Sequence, residues 1–461
     1  MTPRPTPPRH VAVIDIGKTN AKLALVDLDT LEETAVVTRP NTVLAGPPWP
    51  HFDLDGHWEF LLDALAGFHA AHGIDAISVT THGASIVLLD AAGNLAGPML
   101  DYEHTGPDTT AAAYDAIRPD FAETGSPRLG MGLNIGAQLH WMFETDPALK
   151  ARTKTILTYP QYWGYRLTGA LATDMSSLGC HTDLWNPHEG RFSSLVQTLA
   201  IADKIAPARP SADLLGPILP GIAARTGLSP TTPVHAGIHD SNASLLPHIL
   251  GRTAPFSVVS TGTWVIAMAV GPAPVPLDPG ADTLINVSAL GQPVPSARFM
   301  GGREYALAMG GARVEPDAAD IRAVLEGGIM LMPALVSTSG PFQGRKAHWI
   351  GREPAPGSGA RAAAVAFYLA LETAHCLALI GHRGPIIVEG PFAHNRACLD
   401  MLAAATGAPV VASATATGTS QGAALLAAPP GTAPRAPATG ASKAPDPAMV
   451  AYAAAWASLV R

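Results

Sequence analysis

The chain has 461 residues and a formal net charge of −8, with 14% charged and 47% hydrophobic residues. That length exceeds a single small binding module and accommodates two or three domains. The apolar content and a mean hydropathy of +0.19 exclude a disordered chain, and the acidic balance excludes a global basic field for a nucleic acid or an anionic membrane, so any phosphate must be held by local groups.

The opening MTPRPTPPRH has no apolar h-region, and its Pro-rich residues 2–8 read as a flexible leader. Two alternating runs follow, VAVID and AKLALVD, separated by the turn IGKTN, which predicts a β-hairpin from Val11 to Asp27. GKT invites a P-loop reading, but that motif needs glycine at position 12, where Ala12 stands, and a helix after Lys18, where the sequence alternates like a strand. The turn instead packs an acid, a glycine, a lysine, a threonine and an asparagine between Asp15 and Asn20. Such a turn can offer backbone N–H groups and short donors to phosphate while a carboxylate holds hydrated Mg2+. The plainer reading is that Gly17 allows the turn and Asp15 caps it.

A helical pattern over HWEFLLDALAGFHAAHG puts Trp58, Leu61, Leu62 and Leu65 on one face, and a strand from Ile77 to Thr81 follows. Beyond it THGAS places His82 and Gly83 at a strand end, where α/β proteins commonly bind ligands, although a lone histidine is more often structural. Residues 100–230 carry helical patterns broken by many turns, with little β signal, and read as a cap inserted on or beside the first sheet. HAGIHDSNAS then sets Asp240 at the start of a helical run. A carboxylate there can accept the proton of an attacking hydroxyl, although from spacing alone an N-cap is the simpler reading. His235 and His239 have the i, i+4 spacing of a metal pair, but the helix begins after them and no third ligand is evident.

PFSVVSTGTWVIAMAVG at 255–271 repeats the plan of the first hairpin, with Gly262 aligned on Gly17 at an offset of 245 residues. Two domains of one architecture are the economical explanation. After a Gly-rich segment, FMGGREYALAMGG, come a helix at 362–381, a strand from Pro385 to Val388, the turn EGPFAHN, a helix, and a short strand. Residues 428–446 read as an Ala/Pro-rich linker before a terminal Ala-rich helix. The apolar run 256–270 is too short for a membrane span, and 401–434 is broken by Gly, Pro, Ser and Thr. Cys180, Cys376 and Cys398 lack C-x-x-C spacing, which argues against a zinc site or a disulfide scaffold and fits a reducing cytoplasm.

Taken together, DIGKTNAKLAL, THGASIVLLDAAGN, YRLTG, AGIHDSNAS, STGTW and EGPFAHN resemble, in order and spacing, the FGGY-type carbohydrate kinases. The resemblance implies an α/β fold of two ribonuclease-H-like (actin/Hsp70-superfamily) domains flanking a catalytic cleft. It divides the chain into a sugar-binding domain over 1–243 and an ATP-binding domain over 244–461. It also implies ATP and Mg2+ as cofactors, a small sugar as substrate, no nucleic-acid or membrane partner, a cytoplasmic location and, by analogy, a homodimer. On this likeness Asp15 is the metal-associated acid, and Gly17, Lys18, Thr19, Asn20 and Lys22 form the first phosphate motif. Asp240 is the catalytic base, Thr261, Gly262 and Thr263 form the second phosphate motif, and Gly390 and Asn395 belong to the adenosine motif. His82, Gly83, Tyr102, Glu103 and Gln161 are the implied sugar contacts. VTTHGAS, PMLDYEH and MGGREY lean toward the rhamnulokinase and fuculokinase branch, hence L-rhamnulose or L-fuculose. Pentulose and polyol kinases stay open, as do an actin-like ATPase and a non-catalytic sugar sensor.

Overall fold

The computed structural model describes residues 7–413, 418–434 and 444–460. Most of the Pro-rich leader, and residues 435–443 of the Ala/Pro-rich segment, lie outside the described residues. The described chain divides into two compact units. One takes in 7–251 with 285–293 and 418–434; the other takes in 252–284, 294–413 and 444–460.

The first unit is built on a mixed sheet in the order Leu214–Pro217, Pro233–His235, Ala76–Thr81, His10–Ile16, Asn20–Asp27 and Glu32–Pro40. The predicted hairpin forms as read: Asp15 pairs with Lys22 and Ile16 with Ala21 across the antiparallel ladder. Its first strand runs parallel to Ala76–Thr81, which also pairs in parallel with the short strand Ile238–His239. One face of the sheet meets the helix Leu54–His72, whose Trp58, Leu61, Leu62 and Leu65 are buried against Ile14, Leu23, Leu25 and Val79. The helix starts where the Asp53 side chain accepts the Gly56 N–H, the usual way an orphan N-terminal donor is satisfied. On the other face Val11, Val13 and Val26 pack with Ala243, Leu246 and the segment Ala423–Ala427. Each such aliphatic side chain contributes about 1.5–3 kcal/mol when fully buried, so the sheet is clamped on both faces.

The region 100–230 contains more β structure than its sequence suggests. Thr155–Thr158 pairs with Ile86–Leu89, and two further two-stranded pairs are present. These strands are two to four residues long, too short to impose a period-2 pattern on the sequence.

The second unit repeats the plan in the order Pro293–Phe299, Val265–Val270, Phe256–Thr261, Ile386–Glu389 and Val410–Ala412. Its hairpin has the predicted antiparallel register, with Thr261 opposite Val265, and Phe256–Thr261 runs parallel to Ile386–Glu389. The helix Gly359–Leu379 lies in the core of this unit. By length and composition it could cross a membrane, but 78% of its most apolar window is buried inside the protein. The terminal helix runs Pro447–Leu459 and buries Tyr452 and Trp456. Both units therefore show the two-hairpin, mixed-sheet arrangement of the ribonuclease-H-like fold.

Candidate active site

In the first unit three parallel strands end at one edge of the sheet. Asp15 stands one residue before the end of His10–Ile16, His82 follows Ala76–Thr81, and Asp240 follows Ile238–His239. The topology thus gathers three polar residues spread over more than two hundred positions of sequence. Ligand-binding groups commonly collect at such strand ends.

Asp15 is nearly buried, and its Oδ2 is held by Lys22 Nζ at 3.0 Å, by Ser420 Oγ at 2.9 Å and by the Thr419 hydroxyl. Burial works against the charge of Lys22, but Asp15 and Glu33 more than offset it and hold the ammonium above its ordinary range. The adjoining turn is pinned from behind. Gly17 N–H donates to the Asn20 carbonyl at 2.9 Å, and Asn41 Nδ2 donates to the Gly17 carbonyl at 2.8 Å. Asn41 Oδ1 in turn accepts from His57 Nε2 at 2.8 Å, which leaves Nδ1 of that ring to accept from Arg39 at 2.7 Å. Burial, reinforced by Arg39, lowers the His57 pKa to about 4 and keeps this network in a single tautomer. Thr19 and Asn20 are exposed.

Lys18 takes neighbours that its place in the turn does not suggest. Its ammonium pairs with Asp101 and with Glu103 at 3.2 Å, and lies over the Phe52 and Tyr102 rings at 5.1 and 4.6 Å. Among these contacts it faces the aromatic group around His82 instead of an open phosphate turn. The His82 ring is 5.2 Å from each of Phe52, Tyr102 and Tyr159. Its Nδ1–H donates to the Gly83 carbonyl at 2.8 Å, while Nε2 is buried with no protein partner among the described residues. Burial lowers the His82 pKa to about 4, so Nε2 is a bare acceptor at neutral pH. Burial together with Glu103 and Asp240 raises the Tyr102 phenol, which is therefore a neutral hydroxyl.

Asp240 opens the helix Asp240–Gly251, and its side chain is 29% exposed. Gln161, expected as a sugar contact, is instead fully buried: its Nε2 donates to the Ala236 carbonyl at 2.8 Å and the Gly237 carbonyl at 3.3 Å, and its Oε1 accepts from Thr158. Both of its donors thus brace the chain leading into Asp240.

In the second unit the corresponding strand ends carry the turn after Thr261 and the segment after Glu389. Gly262 N–H donates to the Trp264 carbonyl at 2.9 Å, closing the turn as Gly17 closes the first. The Thr261 hydroxyl donates to the Glu389 carbonyl and accepts from Phe392 N–H at 3.1 Å. Gly390 adopts φ +77°, and a β-carbon there would fall 2.0 Å from the Thr261 carbonyl oxygen. Asn395 caps the helix Arg396–Thr406, its Oδ1 accepting Cys398 N–H at 3.0 Å. A cavity of about 850 Å³ lies within this unit, lined among others by Gly262, Tyr305, Met309, Phe392, Asn395 and Asp400. Its size and mixed apolar and polar lining suit a small organic ligand. The turn and Asn395 thus both border this cavity, and Gly390 packs directly against Thr261.

Several residues of this arrangement escape the motif reading: Thr419 and Ser420 on Asp15, Asn41 and His57 behind the turn, and Cys180 and His239 beside Asp240. GTSQGAA at 418–424 repeats the glycine-and-hydroxyl composition of STGT and was the available signal for the first pair.

Residues 10–247 match the model of the FGGY family of carbohydrate kinases, N-terminal domain, and residues 253–436 match carbohydrate kinase FGGY, C-terminal domain. A solved carbohydrate kinase from Novosphingobium aromaticivorans is 38% identical, with a TM-score of 0.90 over 98% of this chain and 100% of the other. A xylulose kinase structure from Rhodospirillum rubrum is 22% identical with a TM-score of 0.76, covering 98% of each chain, a likeness of fold alone. Among curated proteins, L-fuculokinase of Salmonella typhi is 27% identical over 273 residues, 56% of each chain. Autoinducer-2 kinase of Salmonella choleraesuis is 24% identical over 288 residues, 60% of this chain and 54% of the other. The chain thus spans about half the length of the curated relatives it matches.

Proposed function

Because the chain belongs to the FGGY family of carbohydrate kinases, we propose that it transfers the terminal phosphoryl group of ATP to a hydroxyl of a small sugar, with Asp240 as general base. The observation that carries this reading is the setting of Asp240: a partly exposed carboxylate at a strand end, in a unit that also offers the bare acceptor His82 Nε2. A sugar hydroxyl is a donor, and it supplies the proton that His82 Nε2 lacks. Residues of the first unit hold the acceptor sugar, through His82, Gly83, Tyr102, Lys18 and Glu103. Residues of the second hold the nucleotide, through Thr261–Thr263, Gly390 and the cavity beside Asn395.

In the reaction Asp240 accepts the proton of the acceptor hydroxyl as its oxygen attacks the terminal phosphorus in line. Phosphoryl transfer asks little covalent chemistry of the protein, so positioning and charge stabilisation supply the rate. Lys22 and the N–H groups of the turn beside it are suited to the developing charge on the phosphoryl oxygens. The residue that would hold Mg2+ is Asp15: its donors are hard oxygens, and a single fixed carboxylate matches the way this ion is bound with phosphates and water. Bound there, the ion would offset phosphate charge. Three buried cysteines outside any disulfide among the described residues agree with a cytoplasmic place of action.

We assign L-rhamnulose or L-fuculose as the acceptor, supported by the match to L-fuculokinase over part of the chain and by the VTTHGAS, PMLDYEH and MGGREY segments. The test is ADP release on a panel of L-rhamnulose, L-fuculose, D-xylulose, D-ribulose, glycerol and erythritol. The highest kcat/KM belongs to one of the first two. A pentulose or polyol in first place overturns the substrate assignment, and ATP hydrolysis indifferent to every acceptor overturns the kinase reading.

A further inference from the structure

Among the described residues, every hydrogen bond to the Asp240 carboxylate falls on one oxygen. Oδ1 accepts the Ser241 N–H at 2.6 Å and the Ser241 hydroxyl at 3.3 Å, and it lies 3.2 Å from His239 Nε2. Oδ2 takes none among the described residues. His239 is buried, and its placement is fixed from several sides. Its backbone N–H donates to Ser176 Oγ at 3.0 Å, and that hydroxyl donates to Asp174 Oδ2 at 2.6 Å. Its Nδ1 faces the buried Asn242 amide at 3.3 Å, and its Nε2 is also 3.5 Å from Cys180 Sγ. The imidazole edge fits only because residue 83 is glycine: a β-carbon there would be 2.7 Å from His239 Nε2.

We propose that His239 is a positioning residue of the phosphoryl transfer: its Nε2–H, shared with the Cys180 sulfur, clamps Oδ1 of Asp240 and turns Oδ2 toward the acceptor hydroxyl. This rests on the reading of Asp240 as the base. A carboxylate otherwise free to rotate about its side-chain bonds is thereby held in one orientation, and a base is effective only in hydrogen-bond reach of its proton. The groups facing His239 are Cys180, Asp240, Asp174 and, more weakly, His82. Burial would push the imidazole down, but Cys180 and Asp240 outweigh it and raise its pKa to about 9. Burial likewise opposes ionisation of the Cys180 thiol, and His181 and His239 outweigh it, lowering that pKa to about 5. Each of the two groups therefore favours the charged form of the other, and the charge on His239 depends on Cys180.

The experiment measures kcat, KM for ATP and the pH profile of the full chain, with the acceptor ranked first by the panel, for His239→Gln, His239→Ala, Cys180→Ala and Asp240→Asn. Misplacement of a reacting group by about 1 Å can cost about a hundredfold. The expected result is a loss in kcat of about tenfold or more in His239→Ala, a smaller loss in His239→Gln, which keeps a donor, and KM for ATP within about twofold in both. In Cys180→Ala the alkaline fall of kcat, near pH 9 in the parent chain, moves down by roughly one unit or more. A packing role alone would lower the Tm and leave that profile in place. Wild-type kcat in both His239 variants, or a Cys180→Ala profile that superimposes on the parent, overturns the proposal while Asp240→Asn stays inactive. Should Asp240→Asn turn over normally, the base assignment falls first. If the His239 variants fail to fold, the Cys180→Ala profile decides.

Discussion

Gly390 joins the strand Ile386–Glu389 to the turn that lines the cavity proposed to hold the nucleotide, at φ +77° and ψ −161°, a region open to glycine and to almost nothing else. Replacing it with alanine sets a β-carbon 2.0 Å from the Thr261 carbonyl oxygen and 2.9 Å from its hydroxyl. A tolerable contact needs about 3 Å or more, so either the turn or the hairpin strand must shift by roughly 1 Å. The backbone conformation costs on the order of 1–3 kcal/mol, and disturbing the Thr261 bridge to Glu389 and Phe392 adds about 1 kcal/mol. At roughly 2–4 °C per kcal/mol for a unit of this size, Gly390→Ala lowers the Tm by roughly 4–16 °C. The same shift moves one side of the proposed nucleotide site. KM for ATP therefore rises about tenfold or more, while KM for the sugar stays within about twofold. Differential scanning calorimetry and steady-state kinetics with each substrate varied in turn read both effects. A variant with parental Tm and parental KM for ATP refutes the reasoning, because the close approach would then have no consequence at either the fold or the site.

Removing the Asn41 side chain strips the Gly17 carbonyl and His57 Nε2 of their shared partner, and Asn41→Ala costs about 1–3 kcal/mol with a raised KM for ATP, checked by denaturant unfolding and kinetics. Lys22→Met leaves Asp15 without its ion-pair partner, and kcat falls by about two orders of magnitude in a stopped assay of ADP formation. His57 and His82 are both lowered to about 4 in the folded chain against 6.5 as the ordinary value. The unfolded chain thus binds protons that the folded chain does not, so stability falls as the pH drops from about 6.5 toward 4. Urea midpoints across that range show the slope, and in His57→Gln it becomes shallower.

The two hairpins and the parallel strand ends were legible because strand, turn and strand at an offset of 245 residues is a pattern of residue types alone. Asp15 directly follows the apolar run VAVI, whereas His82 follows Thr80 and Thr81 and Asp240 follows His239, and those two are singled out through the family resemblance. What the sequence hid depends on distance along the chain. Thr419 and Ser420 reach Asp15 from more than four hundred residues away, a distance that kept GTSQGAA from being linked to the first hairpin despite its likeness to STGT. Gln161 and Lys18 have the residue types of ligand contacts, but packing turns the first into a brace for Ala236 and Gly237 and draws the second toward Asp101 and Glu103. His239 shares the i, i+4 spacing of a metal pair with His235, a reading set aside for want of a third ligand, but nothing in that spacing shows that its ring meets Cys180 and Asp240. Spacing along one element carries no information about partners from another.

The central claim is that Asp240 removes the proton of the acceptor hydroxyl, and Asp240→Asn tests it with the least disturbance, since the amide keeps the shape and loses the basicity. Acceptor-dependent ADP formation is measured alongside ATP binding by calorimetry. The account predicts that kcat falls by about two to four orders of magnitude while ATP binds with affinity within about twofold of the parent. Turnover near the parental rate in a correctly folded Asp240→Asn chain would contradict it.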